Sequence, residues 1–101
     1  MRFTFADRNL ERLYTHGEGA AKFPPGVVDT FLRRVRHIEA AKDERDLRVP
    51  SSVYYGQLKG KRYASKASLR LNQQWRLILS VEEDAQGKYA LIHEITNHYG
   101  D

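Results

Sequence analysis

Residues 63–81 read YASKASLRLNQQWRLILSV, two runs of alternating character on either side of Asn72-Gln73-Gln74. A period of two is the period of a β-strand. In Tyr63–Leu71 one face carries Tyr63, Ser65, Ala67, Leu69 and Leu71, and the other Ala64, Lys66, Ser68 and Arg70. In Trp75–Val81 one face carries Trp75, Leu77, Leu79 and Val81, and the other Arg76, Ile78 and Ser80. A two-residue loop at Asn72-Gln73 would oppose Leu69 to Arg76 and Arg70 to Trp75. That pairing mixes apolar and charged groups on both faces. A three-residue loop, Asn72-Gln73-Gln74, opposes Leu71 to Trp75, Leu69 to Leu77 and Ala67 to Leu79. A slip of one residue inverts the faces of a strand, so burial selects the second register.

The selected register sets Arg70 directly across from Arg76. Like charges directly opposite destabilise a sheet by a few tenths to about 1 kcal/mol. Nothing in the strand pattern asks for the pair. Either both guanidiniums splay into solvent, or they converge on one bound phosphate.

Outward from the hairpin, Val53–Lys59 reads as a preceding strand, with Gly60 marking a turn. Glu82–Gly87 is a polar turn, and Lys88–Thr96 a following strand. Before these, Arg2–Phe5 forms a short first strand with Phe3 and Phe5 on one side. Asp7 suits a helix N-cap, Leu10, Leu13 and Tyr14 follow at helical spacing, and Gly17 offers a stop. His16–Phe23 reads as a loop. Pro24-Pro25 opens a second helix whose stripe is Val28, Phe31, Leu32, Val35 and Ile38. Arg33, Arg34, Arg36 and His37 fall mostly on its solvated face. The expected class is α+β: a short N-terminal strand and two helices packed on one face of a mainly antiparallel sheet of about four to five strands. The opposite face would then carry any site.

The chain has 101 residues, which suits one domain spanning 1–101. It has no cysteine, so disulfides, thiolate zinc sites and thiol nucleophiles are excluded. No apolar run approaches the roughly 20 residues of a membrane helix. The N-terminal residues lack the apolar stretch of a signal peptide. The expectation is a cytoplasmic protein without a membrane partner. The net charge is +4, and its distribution says more than its size. From Leu47 to Val81 there is no Asp or Glu, while Arg48, Lys59, Lys61, Arg62, Lys66, Arg70 and Arg76 all fall there. Seven cations without a counter-charge either form a solvated basic surface or attract a polyanion such as a nucleic acid.

Several short motifs in this half resemble a known family. Leu58-Lys59-Gly60, then Ser68-Leu69-Arg70-Leu71-Asn72, then Gln74-Trp75-Arg76-Leu77 is similar to the HigB branch of the RelE/ParE toxin superfamily. The ending Glu94-Ile95-Thr96-Asn97-His98-Tyr99 resembles the Asp-Tyr-His ending of that branch. The order of elements before the sheet agrees as well. Two departures stand out. Gly56 occupies a position where the family often has His, with only the phenols of Tyr54 and Tyr55 nearby. In Asn97-His98-Tyr99 the imidazole and the phenol have exchanged places.

The resemblance implies a RelE-like fold and a toxin of a type II toxin–antitoxin pair. Such toxins enter the A site of the 30S ribosomal subunit and cut mRNA there. The ribose 2′-hydroxyl attacks the adjacent phosphate, leaving a cyclic phosphate and a 5′-hydroxyl. Carried over by position, the catalytic residues are Lys59, Arg70, Arg76, His98 and Tyr99. Lys61, Arg62, Lys66, Tyr55 and Asn97 are the expected RNA-binding residues. The residue types suit the reaction. Arg70 and Arg76 would stabilise charge on phosphorus. Lys59 could serve as a base or orient one. His98 titrates near neutrality, and Tyr99 could stack on a base or donate a proton. Neighbouring strand residues point to opposite faces, which leaves open whether His98 or Tyr99 serves. His93 is a further candidate, although a lone histidine within a strand is usually structural. No metal and no cofactor is expected. The implied partners are a HigA-like helix-turn-helix antitoxin encoded alongside, the ribosome with its mRNA, and operator DNA through the antitoxin complex. Two other functions fit the same sequence: inhibition of DNA gyrase without cleavage, as in ParE-type relatives, and plain RNA binding.

Overall fold

The structure, a computed structural model, describes residues 1–97. Strand β1 (Arg2–Phe5) is followed by helices α1 (Arg8–His16) and α2 (Val27–Ala40). Then come β2 (Gly56–Gln57), β3 (Ala67–Arg70), β4 (Arg76–Asp84) and β5 (Gly87–Thr96). They form one five-stranded sheet in the order β1-β5-β4-β3-β2, antiparallel except where β1 runs parallel to β5. The α+β class read from the sequence is the class observed.

The helix ends follow local chemistry. The Asp7 carboxylate accepts the Asn9 N–H at 2.6 Å and caps α1. Gly17 ends it at φ 71°, a left-handed conformation that favours glycine, and its N–H reaches Leu13 O. Helix α2 starts after the two prolines, at Val27. Its deepest positions are Val27, Phe31, Val35 and Ile38, all essentially inaccessible. The expected Val28 and Leu32 sit at the rim of the core. The stripe is therefore centred about one position earlier than its composition suggested.

These helix residues pack on the inner sheet face, against Leu69, Leu77, Leu79 and Ile92, which are fully buried. Burial of side chains of this size contributes roughly 1.5–3 kcal/mol each. Phe3, Phe5, Tyr14 and Phe31 close the β1 end, with Phe5 and Tyr14 ring centroids 5.5 Å apart. Phe23 meets Trp75 edge-on at 5.6 Å.

The hairpin register is the one selected by burial. Ala67 pairs with Leu79, Leu69 with Leu77 and Arg70 with Arg76. Leu71 N–H donates to Trp75 O at 2.9 Å, closing the three-residue loop. The Asn72 side chain supports it, its Oδ1 accepting the N–H groups of Gln74 and Trp75 at 2.7 Å each.

Two strands are shorter than expected. Of Val53–Lys59, only Gly56 and Gln57 are extended, because Ser51–Val53 forms a 3₁₀ turn and Tyr54 turns left-handed at φ 51°. Of Tyr63–Leu71, the strand begins at Ala67. Lys61–Tyr63 is a 3₁₀ turn and Ser65 has φ 62°. A β-bulge interrupts β5, where Leu79 pairs with Ile92 but Ile78 with Glu94, leaving His93 as the extra residue.

Candidate RNA-phosphate site

The sheet's outer face carries the residues that the register turns away from the helices. Arg70, Arg76 and Thr96 form one row across β3, β4 and β5. Gly56, Ser68, Ile78 and Glu94 form the next, and Ser80 with Leu91 the one beyond. This face is not uniformly open. Ser68, Ile78, Ser80 and Thr96 are buried on it, while Arg70 and Arg76 are half-buried, as are Gly56, Leu91, His93 and Glu94.

Both arginines are held by the same residue. The Arg70 guanidinium stacks 3.8 Å above the centroid of the Tyr54 ring. Arg76 donates from Nη1 to Tyr54 O at 3.2 Å and to Ser68 Oγ at 3.1 Å. A ring face, a carbonyl and a hydroxyl orient the two guanidiniums. Arg70 Nε is buried and makes no hydrogen bond among the described residues. From the other side of the sheet Arg34 donates from Nε to Arg70 O at 3.0 Å. Burial, and then the nearby Arg33 charge, lowers the pKa of Arg34. Sequence reading placed Arg34 on a solvated face. No local signal distinguishes it from its arginine neighbours, because its partner is a backbone carbonyl distant in sequence.

The remaining expected residues are dispersed around this pair. Lys59 is exposed in the loop after β2, and Lys61 and Arg62 are exposed on the following turn. Arg62 lies 5.3 Å over the Tyr63 ring. Lys66 is half-buried and lies close enough to His93 to act on its charge. Tyr55 is half-buried against the core rim, with the Arg48 guanidinium 4.8 Å over its ring, and burial raises its pKa. Its neighbour Tyr54, not among the expected site residues, is the tyrosine at the arginines. Asn97 is exposed at the end of β5, and His98 and Tyr99 lie outside the described residues.

His93 owes its direction to the bulge. Its Nε2 meets Ser80 Oγ at 2.8 Å on the outer face. Burial first, and then the Lys66 charge, lowers its pKa from the ordinary value, against opposing effects from Glu82 and Glu94. Glu94 is the carboxylate that the register sets nearest to the arginine pair on this face. Among the described residues no three His, Asp or Glu side chains gather in a way that could hold a metal ion. Two surface hollows, one beside Arg2 and Tyr89 and one between α1 and Glu94-Ile95, are lined without either arginine.

Comparison with known proteins decides the family. Residues 3–99 match the family described as the RelE-like toxin of the type II toxin-antitoxin system HigB. The chain belongs to the HigB-like toxins. Toxin HigB-1 of Vibrio cholerae serotype O1 is 31% identical over 78 residues, covering 77% of this chain and 81% of that protein. The fold is shared more widely. A YoeB/ParE toxin from Agrobacterium tumefaciens superposes with a TM-score of 0.61 over 98% of this chain and all of that one, at 16% identity. A HigB-like toxin is one half of a type II pair, and the family therefore implies an antitoxin partner. No helix among the described residues is long and apolar enough to cross a membrane.

Proposed function

We propose that this HigB-like toxin is a ribosome-dependent mRNA endonuclease that grips the scissile phosphate between Arg70 and Arg76. The observation that carries the reading is the direct opposition of these two arginines on the outer face. The pairing costs stability in a free sheet and becomes favourable when an anion sits between the two groups.

The chemistry follows from the arrangement. As the 2′-hydroxyl attacks phosphorus, charge grows on the non-bridging oxygens. Two guanidiniums fixed in advance by Tyr54, Ser68 and the Arg34-anchored strand end stabilise that charge without reorganising. Lys59, Lys61 and Arg62 at the rim supply further attraction along the RNA backbone. Proton transfer falls to Lys59 and to the His98-Tyr99 ending, an amine, an imidazole and a phenol that can exchange protons with the RNA. The partners of this reading are the 30S A site with its mRNA, a helix-turn-helix antitoxin, and operator DNA reached through the antitoxin complex. No cofactor takes part.

Induction of the toxin without its antitoxin tests the reading. Translation should stop first, with new 5′-hydroxyl ends appearing within coding sequences. Arrest of replication with intact transcripts would contradict it and favour gyrase inhibition. Unaltered growth would favour plain RNA binding.

A further inference from the structure

Tyr54 is unusual in three independent respects. It is one of the most exposed large apolar side chains, with 52% of its surface accessible. Its backbone is left-handed, at φ 51° and ψ 49°, a conformation that disfavours a bulky side chain and that glycine would adopt freely. It also touches both arginines, Arg70 through its ring and Arg76 through its carbonyl. Strain of this kind persists where the surroundings impose it, and it gathers at ligand sites.

One face of the ring is covered by Arg70 at 3.8 Å. More than half of the residue's surface stays accessible beside this contact. An exposed aromatic face beside a phosphate-binding pair is the surface on which a nucleobase stacks. We propose that Tyr54 is a nucleobase platform, carrying Arg70 on one face and stacking a base of the bound RNA on the other. This inference rests on the phosphate role given above to Arg70 and Arg76.

The layering serves both contacts. A guanidinium stacked by its face keeps its N–H edge in the plane of the stack, where it can meet two phosphate oxygens. Base and phosphate then sit two stacking layers apart, within the span of a single nucleotide. Stacking needs only a π-face, so the platform tolerates any base. Tyr55 cannot take this role, because it is half-buried at the core rim under Arg48.

The test compares adenosine 3′-monophosphate with inorganic phosphate, titrated by NMR into the whole chain. The wild-type protein should bind the nucleotide about tenfold or more tightly than phosphate, as expected for one stacked base. Tyr54→Phe should keep that preference. Tyr54→Leu also releases the Arg70 guanidinium, so phosphate binding should weaken somewhat, but the ratio of nucleotide to phosphate affinity should fall to about one, with the melting temperature near wild type. Equal affinities in the wild type, a preference that survives Tyr54→Leu, or no nucleotide binding would each overturn the inference. Binding is read here without ribosomes or cleavage. A Tyr54-dependent preference in a protein that leaves mRNA intact would sink the nuclease reading and keep the platform. Cleavage without that preference would do the reverse.

Discussion

The β3–β4 hairpin and the connector from Arg48 to Lys66 adjoin in sequence and share the acid-free run, yet they are specified differently. In the hairpin, each buried residue meets a buried residue: Leu69 faces Leu77 and Ala67 faces Leu79. Alternation and loop length suffice to define it. The connector has two 3₁₀ turns, a two-residue strand and two left-handed non-glycine residues. It is tied down by buried Val53 and Tyr63 and by guanidinium–ring contacts, Arg48 on Tyr55, Arg62 on Tyr63 and Arg70 on Tyr54. Regular structure supplies the scaffold, and the irregular segment brings an aromatic ring to the scaffold's arginines.

The largest expected effect separates the two regions by stability. Leu77→Ala removes a fully buried side chain from the hairpin and should cost about 2–5 kcal/mol in urea denaturation. Tyr54→Gly relieves a left-handed backbone and loses a partly exposed ring contact, so it should change stability by no more than about 1 kcal/mol. Comparable losses from the two substitutions would break the contrast.

A smaller effect concerns the bulge on the outer face. Burial and Lys66 hold the pKa of His93 below its ordinary 6.5, so the folded state binds this proton less readily than the unfolded chain. The associated stability is present above that ordinary value and is lost as pH falls through the lowered pKa. His93→Gln should flatten the decline in melting temperature between about pH 7 and about pH 5. An unchanged slope would mean that other groups set the acid sensitivity.

Much of the scaffold was legible in the sequence. The hairpin register, β1, the Asp7 cap and the Gly17 stop all follow from local chemistry and alternation. Alternation also placed Arg70 opposite Arg76. The bulge left a trace that was readable in principle, since the buried positions step by two from Ala90 to Ile92 but by three to the half-buried Ile95. Tyr54, Ser65 and Arg34 left none. Tyr54 and Arg34 meet Arg70 only in the folded chain, through its guanidinium and its carbonyl respectively. The sequence pointed to Tyr55 for RNA contact, and only tertiary packing distinguishes it from Tyr54.

The central claim is that the Arg70–Arg76 pair holds a phosphate during mRNA cleavage. It is tested most directly by single-turnover cleavage of mRNA on programmed ribosomes with Arg70→Gln. Gln keeps a polar side chain but removes the charge and the forked donor. Cleavage should slow by about 100-fold or more, with the melting temperature close to wild type. Cleavage by Arg70→Gln within a few-fold of the wild-type rate would contradict the account.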